Sequence, residues 1–241
     1  MHMQLLDQTW PEPEANLACD EALLLSAERG IAPPVLRFWE SEPLFVVLGH
    51  SNKSATETDV QTCERDRIPV LRRCSGGGAV LQGAGCLNYS LVLEIESAPE
   101  LTSITSTNKF IMDRHRAVIE ELAGRETAVQ GHTDLAIAGL KFSGNAQRRK
   151  KSFLLFHGTF LLDFDLDQIG KYLRFPSRQP EYRGSRSHLE FVTNLKLDRS
   201  DLKNALAAVW KASETADGVL KEEIQQLVMS KYSTKEWNMK F

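Results

Sequence analysis

The chain reads as an α+β protein, and three observations predict it. Strand-like segments recur between residues 35 and 94 and again as a meander between 134 and 162. Helical periodicity is confined to separate stretches near the start, the middle and the tail. The strand–helix–strand rhythm of a doubly wound parallel sheet is missing. The 241 residues suffice for a substantial buried core and for one large or two small domains. The start, Met1-His2-Met3, is given no weight as a structural signal.

Residues 15–28 predict a helix with Ala18, Ala22 and Leu25 on one face. Val35–Trp39 and Phe45–Gly49 read as strands joined by a hairpin at Ser41-Glu42-Pro43. A short helix is expected over 56–65, then a strand at Pro69–Arg73. That strand runs into Ser75-Gly76-Gly77-Gly78 and a further short strand, Ala79-Val80-Leu81. Leu87–Glu94 is the clearest strand, its Leu87, Tyr89, Leu91 and Leu93 alternating with Asn88, Ser90, Val92 and Glu94. A helix follows at 105–123, with Ile111, Val118 and Leu122 on one stripe. Asp134–Ala138, Lys141–Gln147 and Phe153–Leu162 form the meander, turning at Gly139 and at the charged tip Arg148–Lys151. Pro176–Glu190, polar and rich in Arg and Ser, reads as a loop. Two tail helices carry Leu202, Ala205, Leu206 and Val209, then Leu220, Ile224 and Leu227.

Composition narrows the function. A 42% hydrophobic, 25% charged chain is ordinary for a globular protein and not for a disordered one. No apolar run approaches the roughly 18 residues of a membrane span, and no basic-then-apolar leader opens the chain. A net charge of −3 argues against a nucleic-acid partner. The four cysteines, Cys19, Cys63, Cys74 and Cys86, form no CxxC pair, so neither a zinc site nor a disulfide framework is expected. A reducing cytoplasm is the compartment this implies.

Chemistry concentrates in three stretches. In Arg72-Arg73-Cys74-Ser75-Gly76-Gly77-Gly78-Ala79-Val80, three successive glycines cost conformational entropy. A ligand lying against bare main-chain N–H groups is one reason for them, with the Arg pair clamping a carboxylate or phosphate. A flexible turn with solvated arginines is an equal alternative on these residues alone. No Gly-Lys-Ser/Thr follows the glycines, and the dinucleotide spacing fails at Leu81. In Lys141-Phe142-Ser143-Gly144-Asn145-Ala146-Gln147, Lys141 is either an outward solvated residue or a fixed ammonium for an anionic oxygen. The third stretch, His157-Gly158-Thr159, opens an apolar strand, where a lone His is commonly structural.

Taken in order, these stretches resemble the lipoate–protein ligase branch of the biotin/lipoate ligase and octanoyltransferase superfamily. Arg73-Cys74-Ser75-Gly76-Gly77-Gly78-Ala79-Val80 is similar to that family's lipoate-binding loop, and Leu87-Asn88-Tyr89-Ser90 to the strand after it. Asp134-Leu135 with Gly139-x-Lys141-x-Ser143-Gly144-x-Ala146-Gln147 resembles the segment that holds its catalytic lysine. Asn16-Leu17-Ala18-x-Asp20-Glu21-Ala22, His157-Gly158-Thr159, Val192-Thr193-Asn194-Leu195 and Glu236-Trp237-Asn238 resemble further landmarks, so the likeness spans nearly the whole chain.

The resemblance implies a single catalytic domain over residues 1–241, with a central mixed β-sheet flanked by helices. It implies ATP, with Mg2+ shielding the triphosphate, and lipoate as substrate. The acid becomes lipoyl-AMP and passes to a lysine of a lipoyl domain or a glycine-cleavage H-like acceptor. Lys141 would stabilise charge growing on the acyl and phosphate oxygens, at roughly 3 kcal/mol. Arg73, Ser75 and the backbone of Gly78, Ala79, Val80 and Leu81 would hold phosphate and acyl chain, and Gly76 and Gly77 would line an apolar tunnel. Asn88, Asp134, Ser143, Gly144, Ala146, His157, Gly158 and Thr159 would shape or support the site.

Two departures set alternatives. Longer ligases continue into a small C-terminal domain after Glu-Trp-Asn, whereas this sequence stops four residues after Trp237, so a separate C-terminal-domain partner is expected. Octanoyltransferases use a cysteine thioester and no ATP. The segment Val129-Gln130-Gly131-His132-Thr133-Asp134 has no cysteine, but Cys74 and Cys86 flank the glycines. A carrier-binding subunit using Arg174, Arg178, Arg183 and Arg186 is the third reading.

Overall fold

The computed structural model describes residues 3–215 and 220–241. In chain order the strands are β1 (Met3–Asp7), β2 (Val35–Trp39), β3 (Phe45–Leu48), β4 (Val70–Arg72), β5 (Val80–Gln82), β6 (Cys86–Glu94), β7 (Ala128–Gln130), β8 (Asp134–Ile137), β9 (Leu140–Arg149), β10 (Phe153–Leu161) and β11 (Ala212–Thr215). The helices are α1 (Pro13–Glu28), α2 (Ser54–Glu57), α3 (Val60–Asp66), α4 (Ile104–Ala123), α5 (Asp167–Tyr172), α6 (His188–Phe191), α7 (Arg199–Trp210), α8 (Lys221–Leu227) and α9 (Lys235–Asn238).

Eight strands form one mixed sheet in the order β11-β1-β2-β6-β10-β9-β8-β7, and β4-β3-β5 form a second. In the large sheet β1 runs parallel to β2 and β11, and every other pairing is antiparallel. The expected α+β architecture, a mixed sheet flanked by helices, is therefore present. The expected hairpin between β2 and β3 is not: β2 pairs with β1 and β6, whereas β3 pairs with β4 and β5. Ser41-Glu42-Pro43 turns the chain from one sheet into the other, which needs the same turn residues as a hairpin.

Strand alternation sorts two cores. Leu87, Tyr89, Leu91 and Leu93 of β6 join Phe156 and Phe160 of β10 with Ile111 and Ile119 of α4 and Leu202 and Leu206 of α7. Val92 and Leu155 face the other way, onto Ala18, Ala22 and Leu24 of α1 and Phe45 and Val47 of β3. Helix α1 starts at Pro13, suited to a first turn, and is buried nearly all round. That explains why no single apolar stripe defines it: Leu23 and Leu24 are buried as well as Ala18 and Ala22, and Leu25 is only partly covered. Helix α4 opens on a Ser103 cap and ends at Gly124 in the left-handed region, φ 59°.

Met3, given no structural weight above, begins β1 with 1% of its surface exposed. The Pro176–Glu190 segment is not a plain loop. It holds a short helical turn at Glu181–Arg183, and the Ser187–Glu190 capping box starts α6.

Candidate active site

The glycine loop leaves β4 and returns in β5, the two strands that flank β3. Gly77 sits at φ 93°, where a side chain is strained, and Gly76–Gly78 are exposed. Among the described residues, the N–H groups of these glycines are not engaged by other backbone. The loop's shape is set from beneath by Arg73, whose Nη2 donates to Gly76 O at 2.6 Å and Gly78 O at 2.9 Å. Its Nε donates to Ser75 Oγ at 3.1 Å, and burial lowers the guanidinium pKa to about 10. Arg72 is wholly buried and donates to the carbonyls of Gly49, Asn52, Trp237 and Asn238. Both guanidinium groups are thus engaged by main-chain carbonyls, those of Arg73 within the glycine loop and those of Arg72 outside it, at Gly49, Asn52, Trp237 and Asn238. Ala79, Val80 and Leu81 pack into the cores beneath the loop.

Ser75 is tied downward as well. Its Oγ is 2.6 Å from His157 Nε2, and His157 Nδ1 is 3.0 Å from Asp20 Oδ2. Asp20 Oδ1 accepts from Arg37 Nη1 at 2.6 Å, and Arg37 Nη2 donates to Asn16 Oδ1 at 2.8 Å. Burial opposes ionisation of Asp20, but Arg37 and the His157 hydrogen bond hold its carboxyl below the ordinary range. Arg37 does not figure in the sequence reading. A lone arginine in an apolar strand, Val35–Trp39, was the available signal.

Lys141 reaches the same face through an irregularity. Leu135 pairs with Ser143 but Ala136 pairs with Lys141, so β9 has one extra residue, Phe142, against β8. Such a bulge reverses the side-chain alternation beyond it. Ser143 shares the face of its partners Leu135 and Phe160, in the first core. Lys141 is turned to the opposite face, with Gly144 and Ala146. There its Nζ lies 2.8 Å from Asp134 Oδ1, and a Cβ on Gly144 would stand 2.8 Å from that nitrogen. Tyr182 OH donates to Asp134 Oδ2 at 2.8 Å, which brings the Pro176–Glu190 segment over the lysine. Burial and the Asp134 charge push the Tyr182 hydroxyl well up, so it stays a donor. A Cβ on Gly77 would come within 3.8 Å of Ala146 Cβ, so loop and lysine strand adjoin.

The remaining predicted residues separate into two groups. Asn88, Gln82 and Thr159 close a ring: Asn88 Nδ2 to Gln82 Oε1 at 2.9 Å, Gln82 Nε2 to Thr159 Oγ1 at 2.7 Å, and Thr159 Oγ1 to Asn88 Oδ1 at 2.5 Å. It fastens β5 to β6 and β10. Ser143 and Gly158 belong to the far face. Asn145 Nδ2 donates to Ser143 Oγ at 3.3 Å, Tyr89 OH donates to Asn145 Oδ1 at 2.6 Å, and a Cβ on Gly158 would overlap that amide. The arginine cluster is also not one free surface. Arg183 is buried against Phe175 and Phe191, and Arg186 holds Gly139 O and Tyr182 O.

All four cysteines are buried and unpaired. Burial raises Cys19, pushes Cys63 up to about 11 and Cys74 up to about 12, and moves Cys86 further still. A thiol held protonated in this way is a poor nucleophile. No helix among the described residues is long and apolar enough to cross a membrane.

Comparison with known proteins identifies the family and the fold. Residues 12–209 match the family model of the lipoyl protein ligase A/B catalytic domain. The chain is 32% identical over 189 residues to a Mycoplasma pneumoniae protein named "Probable lipoate-protein ligase A", covering 76% of this chain and 52% of that one. It is 27% identical over 263 residues, 95% of each chain, to the octanoyltransferase LipM of Brevibacillus brevis. Among solved structures, a lipoate-protein ligase A bound with ATP superposes with a TM-score of 0.83 at 27% identity over 99% of both chains. A bi-partite lipoate protein ligase of Thermoplasma acidophilum, studied with its E2 lipoyl domain, gives 0.82 at 26% identity over 99% and 96% of the chains.

Proposed function

This chain belongs to the lipoyl protein ligase A/B catalytic domain family, and on that premise we propose that it is an ATP-dependent lipoate–protein ligase. It activates lipoate to lipoyl-AMP and passes the acyl group to a lysine of a lipoyl domain or a glycine-cleavage H-like protein. The observation that carries this reading is Lys141, held 2.8 Å from Asp134 beside the glycine loop, in a chain whose thiols are all buried and raised in pKa. A carboxylate is a poor electrophile, so it needs a phosphoryl leaving group if no thiolate carries the acyl chain. The Lys141 ammonium meets the carbonyl and phosphate oxygens where charge grows in both steps. The N–H groups of Gly76–Gly78 supply neutral donors to the same oxygens. Asp134 and Tyr182 orient the ammonium, and Gly144 leaves it room. Mg2+, carried in with ATP, would neutralise charge on the triphosphate. The ATP-bound relative supports nucleotide use, and the bi-partite relative supports a lipoyl-domain acceptor and a second subunit, the part proposed here for a C-terminal-domain partner. Residues 1–241 act as one catalytic domain in the cytoplasm, where ATP and acceptor meet.

The octanoyltransferase relative favours a second reading, acyl transfer from a carrier thioester without ATP. Lipoate-dependent exchange of labelled pyrophosphate into ATP separates the two. Exchange is the expected result, by the chain alone or once a C-terminal-domain partner is added. Its absence, with acyl transfer from an acyl-carrier protein, overturns the ligase reading; absence of both leaves a carrier-binding subunit.

A further inference from the structure

The proposed reaction leaves one buried chain unused, running from Arg37 through Asp20 and His157 to Ser75. We propose that Asp20 and His157 are positioning residues that set the glycine loop through Ser75, by holding His157 as the neutral tautomer protonated on Nδ1. The assignment rests on the ligase reading for its kinetic consequence but not for its geometry.

The direction of each hydrogen bond follows from chemistry. Asp20 lies 2.6 Å from Arg37 Nη1, so its carboxylate is ionised and can only accept. Its Oδ2, 3.0 Å from His157 Nδ1, therefore takes that nitrogen's proton as a hydrogen bond. In the neutral ring that the proposal assigns, Nε2 is then bare, and the group it meets, at 2.6 Å, is the Ser75 hydroxyl, which donates to it. The Ser75 lone pairs then accept from Arg73 Nε at 3.1 Å, while Arg73 Nη2 holds Gly76 O and Gly78 O. Arg37 is kept from turning by Asn16, to which it donates at 2.8 Å twice, through Asn16 O and Oδ1. The chain thus runs without a break from helix α1 to the carbonyls of the exposed glycines.

Two alternative uses fit less well. As a stability device, buried ion pairs do little that apolar residues could not. As a nucleophile–base–acid set, Ser75 meets the distance test, but it is 1% exposed and its oxygen already accepts from Arg73, so an acyl carbon has no approach. Fixing the loop donors is what remains, and it acts on whichever oxygen those donors meet.

The test uses the uniformly 15N-labelled full chain, the His157→Gln variant assigning the ring signal. The parent at pH 7.5 should show Nδ1 protonated and Nε2 bare. Ser75→Ala, which leaves the Asp20–Arg37 pair intact, should lower the backbone order parameters of Gly76–Gly78 and not those of β6 and β10. It should cut kcat for lipoyl-AMP formation about tenfold, the scale of one hydrogen bond, with KM for lipoate changed less than twofold. Ser75→Thr, which keeps the hydroxyl, should recover most of that loss. A parent His157 protonated on Nε2, or a Ser75→Ala loop as ordered as the parent's, overturns the proposal. Both spectroscopic readouts need no turnover, so a parent that forms no acyl-adenylate, with or without a C-terminal-domain partner, refutes the ligase reading alone.

Discussion

Acidification should destabilise this protein chiefly through one histidine before its carboxylates respond. His115 of α4 is fully buried. Trp210 Nε1 donates to its Nε2 at 2.9 Å, while its Nδ1 has no partner among the described residues. Burial, with a smaller push from Arg114, lowers its pKa from 6.5 to about 3. The sign is fixed by proton uptake. Below pH 6.5 the unfolded chain binds a proton at this side chain that the folded chain refuses until about pH 3, so stability falls as pH falls. Each pH unit in that window costs about 1.4 kcal/mol, so the loss at pH 5 is about 2 kcal/mol. His115→Gln keeps an acceptor for Trp210 and removes the titration. Urea unfolding of parent and variant, followed by tryptophan fluorescence at pH 7.5 and pH 5, measures the difference. The parent's advantage over the variant should shrink by about 2 kcal/mol between the two. His50 and His188, also pushed down by burial, titrate in both proteins and cancel. An unchanged difference would refute the reasoning, and would mean that His115 gains a proton partner in the folded state.

Other expectations concern the site. Lys141→Ala should lower acyl-adenylate formation at least a hundredfold, about 3 kcal/mol, with an unchanged circular dichroism spectrum; near-normal turnover would remove Lys141 from the chemistry. Gly144→Ala puts a methyl 2.8 Å from Lys141 Nζ, so kcat should drop about tenfold while the unfolding midpoint moves little. Gly158→Ala meets the Asn145 amide instead, so the loss should be in stability, about 2 kcal/mol by urea titration, before it is in rate. Cys74→Ser should keep ligase turnover, and a trapped acyl-Cys74 in the parent would favour the transferase.

Much of this architecture is legible in the sequence because its signals are local. The alternation of Leu87–Glu94 and the run Phe153–Leu162 identify β6 and β10, and the glycine and lysine stretches singled out in the sequence adjoin at Gly77 and Ala146. What escapes depends on partners distant in the chain. The strand β7 is three residues long and carries no period. Helix α1 is buried too evenly to show a stripe. Arg37 meets Asp20 across 17 residues, and Tyr182 meets Asp134 across 48. The bulge at Phe142 is a mismatch between two strands and has no signature in either alone. The inward turn of Arg72 and Arg73 follows from the carbonyls of a fold that composition cannot display.

The anchoring of Arg72 also sets a schedule for synthesis. Its side chain and backbone are held by Trp237 and Asn238, 165 and 166 residues further along the chain. At roughly 5–20 residues per second, the ribosome needs on the order of 8–33 s to supply them after Arg72 is made. Until then the strand that feeds the glycine loop lacks its tether, and a chaperone or protease that samples the nascent chain meets an open loop. The enzyme therefore acquires its site late in translation, after the sheet beneath it has had time to form.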